Sequence, residues 1–259
     1  MRIVVKVGTS TLTYPTGHLN IRRVEHLVRV LSDIKNAGHE VILVSSGAIA
    51  LGVGKLGLSG RPSDTPGKQA AAAVGQCELM YVYDRQFTKY SHTVGQILLT
   101  AEDVDHEERR ANVENTLFRL LELGALPIIN ENDTISTAEI TVGDNDKLAA
   151  VVSTLAHAEL LVLFSDIDGL YTSDPHKNPD AEIIPVVTGI TEELLSMAGG
   201  SSTALGTGGM ETKLRAAEIV MAASCNMVIC NGADPEILYD IIDGKPVGTK
   251  FTAKKDDAP

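Results

Sequence analysis

The sequence predicts an α/β fold built on a mostly parallel sheet, and three observations carry that reading. Apolar runs of strand length recur along the chain, at residues 3–7, 41–44, 94–99, 127–129, 160–164 and 227–230. Between them lie stretches with apolar residues at helical spacing; Ile21, Val24, Leu27, Val28, Leu31 and Ile34 are the clearest. The first strand, helix and second strand follow one another through short loops, the β-α-β connection that parallel neighbours need.

Composition narrows the class further. The 259 residues allow one large domain or two small ones, and continuous alternation favours one domain at 1–253 with a loose tail at 254–259. Hydrophobic residues make up 44% of the chain but aromatics only 4%, with no Trp, so the core must be aliphatic. A formal net charge of -12 speaks against nucleic acid and anionic membrane as partners. It leaves room for small anions, because a few lysines and helix N-termini reverse the field in one cleft. Cys77, Cys225 and Cys230 lack C-x-x-C spacing, which fits a reducing compartment better than zinc or disulfides. No stretch approaches the ~20 apolar residues of a membrane span, and no signal peptide is evident, so a cytoplasmic location is expected.

The elements follow in order. Residues 3–7 form a strand ended by Gly8-Thr9-Ser10-Thr11, and Lys6 interrupts it; a lysine is rarely buried without a partner. Asn20 caps the helix that runs to Ile34, and Gly38 closes it. The second strand leads into Ser45-Ser46-Gly47-Ala48. Gly52, Gly54 and Gly57 have the spacing of a dinucleotide fingerprint, but the first lies well past the strand and residues 59–68 are turn-like. A flexible glycine-rich loop is expected there. Helices are expected at 68–90 and 107–123, with the strand 94–99 between them and Gly124 at the second helix's end. A small hairpin arm is expected at 137–142, a helix at 147–157, and a strand at 160–164. Asp174-Pro175 and Asn178-Pro179 mark an exposed loop. Thr191 can cap a short helix at 192–198, and helix 213–223 precedes strand 227–230. Asp234-Pro235 starts a helix that Gly244 ends, and 247–251 closes the sheet.

Three clusters carry chemistry. The run at 127–129 turns at its carboxyl end into Asn130-Glu131-Asn132-Asp133, and Gly143-Asp144-Asn145-Asp146-Lys147 follows. The carboxyl ends of strands are where open parallel sheets bind ligands. Such amides and carboxylates can accept from an ammonium, donate to a carboxylate, or hold a divalent cation through water. They can also be ordinary turn formers and helix caps. The third cluster is Gly206-Thr207-Gly208-Gly209, a glycine loop that feeds a helix N-terminus with Lys213 in its first turn. Free N–H groups and the helix dipole favour a phosphate there, although the chain has no Walker A motif. Lys6 stands at another strand end, so the two lysines can converge on one transferring phosphoryl group. Asp146 and Asp166 are the candidate supporting carboxylates. The histidines show no metal-ligand spacing, and no G-x-S-x-G elbow occurs.

These residues resemble the glutamate 5-kinases, within the amino acid kinase superfamily. The segments that carry the resemblance begin at Val5-Lys6-Val7-Gly8, Val44-Ser45-Ser46-Gly47, Ile129-Asn130-Glu131-Asn132, Val142-Gly143-Asp144-Asn145 and Gly206-Thr207-Gly208-Gly209. The resemblance implies a three-layer sandwich with a mostly parallel sheet of about eight strands. It implies ATP-dependent phosphorylation of the γ-carboxylate of L-glutamate, the first step of proline synthesis, with proline as feedback ligand. Lys6 and Lys213 would stabilise the phosphoryl group, and Asp146 would hold them and support Mg²⁺, directly or indirectly. Ser46, Asn130, Asp133, Asp144 and Asn145 would bind glutamate. Lys6, Ser165, Asp166, Thr207, Gly208, Gly209, Met210, Glu211, Thr212 and Lys213 would line the ATP site. A homo-oligomer is expected. Many bacterial members carry a further C-terminal RNA-binding-type module, and this sequence stops at Pro259. The alternatives are a neighbouring amino acid kinase acting on acetylglutamate, aspartate or carbamate, and a non-catalytic sensor on the same fold.

Overall fold

Strand β1 (Arg2–Val7) lies near the middle of an eight-stranded sheet because it is apolar on both faces. The computed structural model describes residues 1–14, 16–135, 145–175, 177–198 and 209–253. The expected hairpin arm at 137–142, residue Asp144, the loop 206–208 and the tail 254–259 lie outside them. The other strands are β2 (Glu40–Ser45), β3 (Val94–Leu99), β4 (Leu126–Glu131), β5 (Leu160–Ser165), β6 (Val186–Val187), β7 (Asn226–Asn231) and β8 (Thr249–Phe251). They are ordered β3-β4-β2-β1-β5-β7-β8-β6, and only the β7–β8 pair is antiparallel. The strands that neighbour β1, β2 and β5, lie on its opposite sides, so the connections diverge there and open a crevice at the carboxyl ends of β1, β2, β4 and β5.

The helices are α1 (Thr9–Leu12), α2 (Ile21–Asn36), α3 (Ala48–Leu56), α4 (Thr65–Thr88), α5 (Ala101–Asp105), α6 (Glu107–Glu122), α7 (Asn145–Leu155), α8 (Glu192–Ala198), α9 (Met210–Ala222) and α10 (Ile237–Ile242). They cover both faces of the sheet, as the resemblance implies. Alternation along each strand divides the core in two. Val4, Ile42, Val44, Leu161 and Leu163 pack with Leu148 and Val152 of α7 and Leu214 and Val220 of α9. Ile3, Val5, Leu43 and Val162 pack on the other side with Leu27 and Leu31 of α2 and Leu79 and Tyr83 of α4. Lys6 shares the parity of Val4 and faces α7 and α9. Asn130 shares the parity of Leu126 and Ile128, which belong to the α2–α4 side. No helix among the described residues is long and apolar enough to cross a membrane.

Most of the expected elements form, and the departures have local causes. The segment expected as a flexible glycine loop is helix α3. Gly52 and Gly75 let α3 and α4 cross in near contact: a Cβ on Gly52 would lie 1.8 Å from the Ala71 carbonyl oxygen, and one on Gly75 1.7 Å from that of Ala48. Helix packing overrides the ~1 kcal/mol propensity cost of each glycine. α4 starts at Thr65, not 68; Asp64 accepts from the Gly67 N–H at 2.8 Å and Pro66 occupies the first turn, a cap-then-proline start. α7 starts at Asn145, so Asn145 and Asp146 lie inside its first turn. α9 starts at Met210, three residues before the expected 213, and α5 and β6 are additional elements. Asn20 caps α2 as expected, accepting from the Arg23 N–H at 3.2 Å.

Candidate active site

The phosphoryl-binding candidates meet over one carboxylate. Lys6 from β1 places its Nζ 2.6 Å from Asp146 Oδ1, and Lys213 from α9 places its Nζ 2.8 Å from Asp146 Oδ2. Asp146 is 0% exposed and each lysine 7%. Strand parity turns Lys6 toward the α7–α9 layer, and helical register turns Lys213 inward one turn into α9. Burial by itself pushes the Asp146 carboxyl up, but the ammonium groups of Lys6 and Lys213 outweigh it and hold the group down at about 2. The two ammonium groups converge on one buried carboxylate, which brings two cations to one crevice where a transferring phosphoryl group could lie.

The substrate candidates form a chain of directed hydrogen bonds beside it. Asn145 Nδ2 donates to Ser46 Oγ at 2.6 Å, to Asn130 Oδ1 at 3.0 Å and to the Ser45 carbonyl at 3.2 Å. Asn130 is 2% exposed, at the carboxyl end of β4. Asp133 is half-buried just beyond. Burial, reinforced by Glu131 and partly offset by Arg61, raises its carboxyl to about 6. Ser46, Asn130 and Asn145 are thus brought together, and Asp133 stands next to them across a small cavity that it lines with Gln76. Asp144 lies outside the described residues.

The nucleotide candidates are more spread. Ser165 ends β5 and donates from Oγ to Asp166 at 3.2 Å, and Asp166 is exposed. Gly209 is the N-cap of α9 with no side-chain cap, which leaves first-turn N–H groups to a ligand. Thr212 donates from Oγ1 to the Gly209 carbonyl at 2.7 Å, and Glu211 is exposed. Met210 is buried in the apolar layer with α7, so only its backbone is available to a nucleotide. Thr207 and Gly208 lie outside the described residues.

Each oxygen of the Asp146 carboxylate faces a lysine ammonium, the arrangement of a carboxylate that orients two cations. Among the described residues, the only His-and-carboxylate cluster close enough to hold a metal is His26, Asp234 and Glu236, and Arg29 occupies Glu236 at 2.5 Å. That cluster joins α2 to the loop before α10, on the surface.

Two polar side chains of α4 escaped the sequence reading. Gln76 Oε1 accepts from Asn130 Nδ2 at 2.9 Å, and the Tyr83 hydroxyl pairs with Ser45 Oγ at 2.8 Å in a buried contact. Both interrupt the core-facing stripe of Ala72, Leu79 and Phe87, and they stand seven residues apart on one helix face. A polar residue on a core face requires a partner, and that was the signal available.

The sequence matches the amino acid kinase family over residues 1–231. It is 56% identical over 253 residues to the glutamate 5-kinase of Clostridium tetani, covering 98% of this chain and 95% of that protein. It is 50% identical over 260 residues to the glutamate 5-kinase of Listeria innocua, covering 99% and 94%. These relatives are matched over nearly their whole length. Among solved structures, the isopentenyl phosphate kinase of T. acidophilum superposes with a TM-score of 0.63 at 17% identity, over 97% of this chain and 100% of that one. The UMP kinase of Ureaplasma parvum gives 0.66 at 15% identity, over 97% and 98%. At such identities the likeness is one of fold. The chain belongs to the amino acid kinase family and, within it, to the glutamate 5-kinases.

Proposed function

We propose that this chain, as one kinase domain over residues 1–253, transfers the terminal phosphoryl group of ATP to the γ-carboxylate of L-glutamate. The observation that carries this reading is the buried Lys6–Asp146–Lys213 triad, in which two ammonium groups meet over one carboxylate, one step along the sheet edge from a directed amide network. A γ-carboxylate oxygen of glutamate attacks the terminal phosphorus of ATP. The bond from that phosphorus to its bridging oxygen breaks, giving glutamyl 5-phosphate and ADP. The nucleophile is already an anion, so no general base is needed. Asp146 suits this, because it stays ionised and both of its oxygens are engaged. It aims the lysines, and they face the charge that spreads over the phosphoryl oxygens. Mg²⁺ supplies charge neutralisation on the phosphates when it arrives with ATP.

Glutamate is held by Ser46, Asn130, Asp133, Asp144 and Asn145, with Asp133 taking the ammonium. Ser165, Asp166 and residues 207–213 flank ATP. Proline, also a zwitterion, competes at the same head-group site. The outer edge of β3 and the thin burial of α6, where Leu117 alone is fully covered, support a homo-oligomer. The acidic balance and reduced cysteines fit a cytoplasmic enzyme. The reading is tested by ADP release and hydroxylamine trapping with glutamate, acetylglutamate, aspartate and carbamate. Hydroxamate from glutamate and not from acetylglutamate is expected. Binding of ATP and glutamate without any acyl phosphate would replace this reading with the sensor.

A further inference from the structure

We infer that Gln76 is a positioning residue for glutamate, acting through Asn130. The inference rests on the glutamate-kinase reading of the site. Its ground is the direction of each hydrogen bond, which is settled by chemistry and not by assignment of the amides. The backbone N–H of Glu131 can only donate, and it lies 2.9 Å from Asn130 Oδ1. That fixes the oxygen end of Asn130, so its Nδ2 must face Gln76, and the Gln76 atom at 2.9 Å must be the acceptor Oε1. The same oxygen of Asn130 receives Asn145 Nδ2, which also reaches Ser46 Oγ. The Asn145 Oδ1 is thereby left as the acceptor end of the network. Polarity set by a backbone N–H and by Gln76 is thus transmitted to the groups that meet the substrate.

Gln76 is 8% exposed, and its Nε2 is buried without a hydrogen-bond partner among the described residues. An apolar side chain would fill the same space without leaving a donor unpaired. The acceptor is what the position uses. The α3–α4 crossing at Gly52 and Gly75 fixes how far Gln76 stands from Asn130, since no Cβ fits between the two helices. Tyr83, on the same face of α4, holds Ser45 in the same way. α4 therefore buttresses both ends of the amide network, while Lys6 and Lys213 rest on the opposite layer.

The test uses Gln76→Met, which keeps volume and removes the acceptor, and Gln76→Glu, which restores an acceptor. Glutamate and ATP are varied separately in steady-state assays, glutamate binding is read by calorimetry, and folding by thermal unfolding. In Gln76→Met the glutamate KM and Kd should rise about ten- to thirty-fold, with ATP KM and kcat changed less than about three-fold. Gln76→Glu should recover glutamate KM to within about three-fold of the parent. An unchanged glutamate KM in Gln76→Met overturns the inference. So does a fall in kcat alone, or a loss that Gln76→Glu does not recover in a folded protein. A parent enzyme that forms no acyl phosphate overturns the glutamate reading instead, and the calorimetric comparison then still decides whether Gln76 shapes the binding site.

Discussion

The two halves of the site are built from different physics and meet in the first turn of α7, where Asn145 belongs to one and Asp146 to the other. On the α7–α9 side, three charged groups share one buried contact, and the attraction depends little on angle. Between α4 and the first turn of α7, neutral amides and hydroxyls form a chain in which each bond dictates the direction of the next. The ionic half can follow a group whose charge spreads and moves, as in phosphoryl transfer. The amide half can tell one zwitterion from another, because a misplaced donor or acceptor is left unpaired. The contrast teaches how an enzyme that moves a phosphoryl group onto one particular amino acid can give the two functions different kinds of contact even where adjacent residues of one helix carry them. A change in one half should alter kcat, and a change in the other KM.

The strongest way to break that contrast is Asp146→Asn. It leaves two buried ammonium groups without their counter-charge, and removal of one partner from a buried ion pair costs about 3–5 kcal/mol. Urea unfolding should show a loss of that order, and ADP release should fall at least about a thousand-fold. The same carboxylate gives the ionic half an acid limit. Its folded pKa, about 2, lies below its unfolded value, so its stabilisation is full above about pH 4 and fades as pH falls toward 2.

Next in size is Asn145→Ala, which removes the donor that Ser46 and Asn130 share. Glutamate KM should rise about ten- to a hundred-fold while ATP KM holds, since a lost buried hydrogen bond is worth about 1–3 kcal/mol. Equal losses in both KM values would merge the two halves. The smallest effect is pH dependence at Asp133. Burial, Glu131 and Arg61 set its carboxyl at about 6, so glutamate KM should fall as pH rises through that value and the carboxylate ionises. In Asp133→Asn that step should vanish from the KM profile. Because the folded state holds this proton more tightly than the unfolded chain, ionisation also costs stability between about pH 4 and 6, and the variant should lack that slope.

Legibility in the sequence follows the same division. Lys6 was visible because a charge in an apolar strand is out of place, and Asn130 because a polar residue ends one. Lys213 was visible from the glycine loop before it, and the strands were visible from their apolar runs. What the sequence concealed depends on contacts between distant segments. Gln76 gains its meaning only from Asn130, 54 residues away. Gly52 looked like a loop former because its reason for being glycine is the Ala71 carbonyl on another helix. The first turns of α7 and α9 begin earlier than expected because Asn145 is held by the site's hydrogen bonds and Met210, after Gly209, by core packing.

The central claim is that the paired lysines act on the transferring group and not on the amino acid. It is tested most directly in Lys213→Ala, by hydroxamate formation at saturating ATP and glutamate together with calorimetry of glutamate binding. Asp146 keeps Lys6 in that variant, so the fold should persist. The account predicts that acyl phosphate formation falls by about a thousand-fold or more while glutamate Kd stays within about three-fold of the parent. Turnover near the parent level, or a folded variant that has lost glutamate binding along with activity, would contradict it.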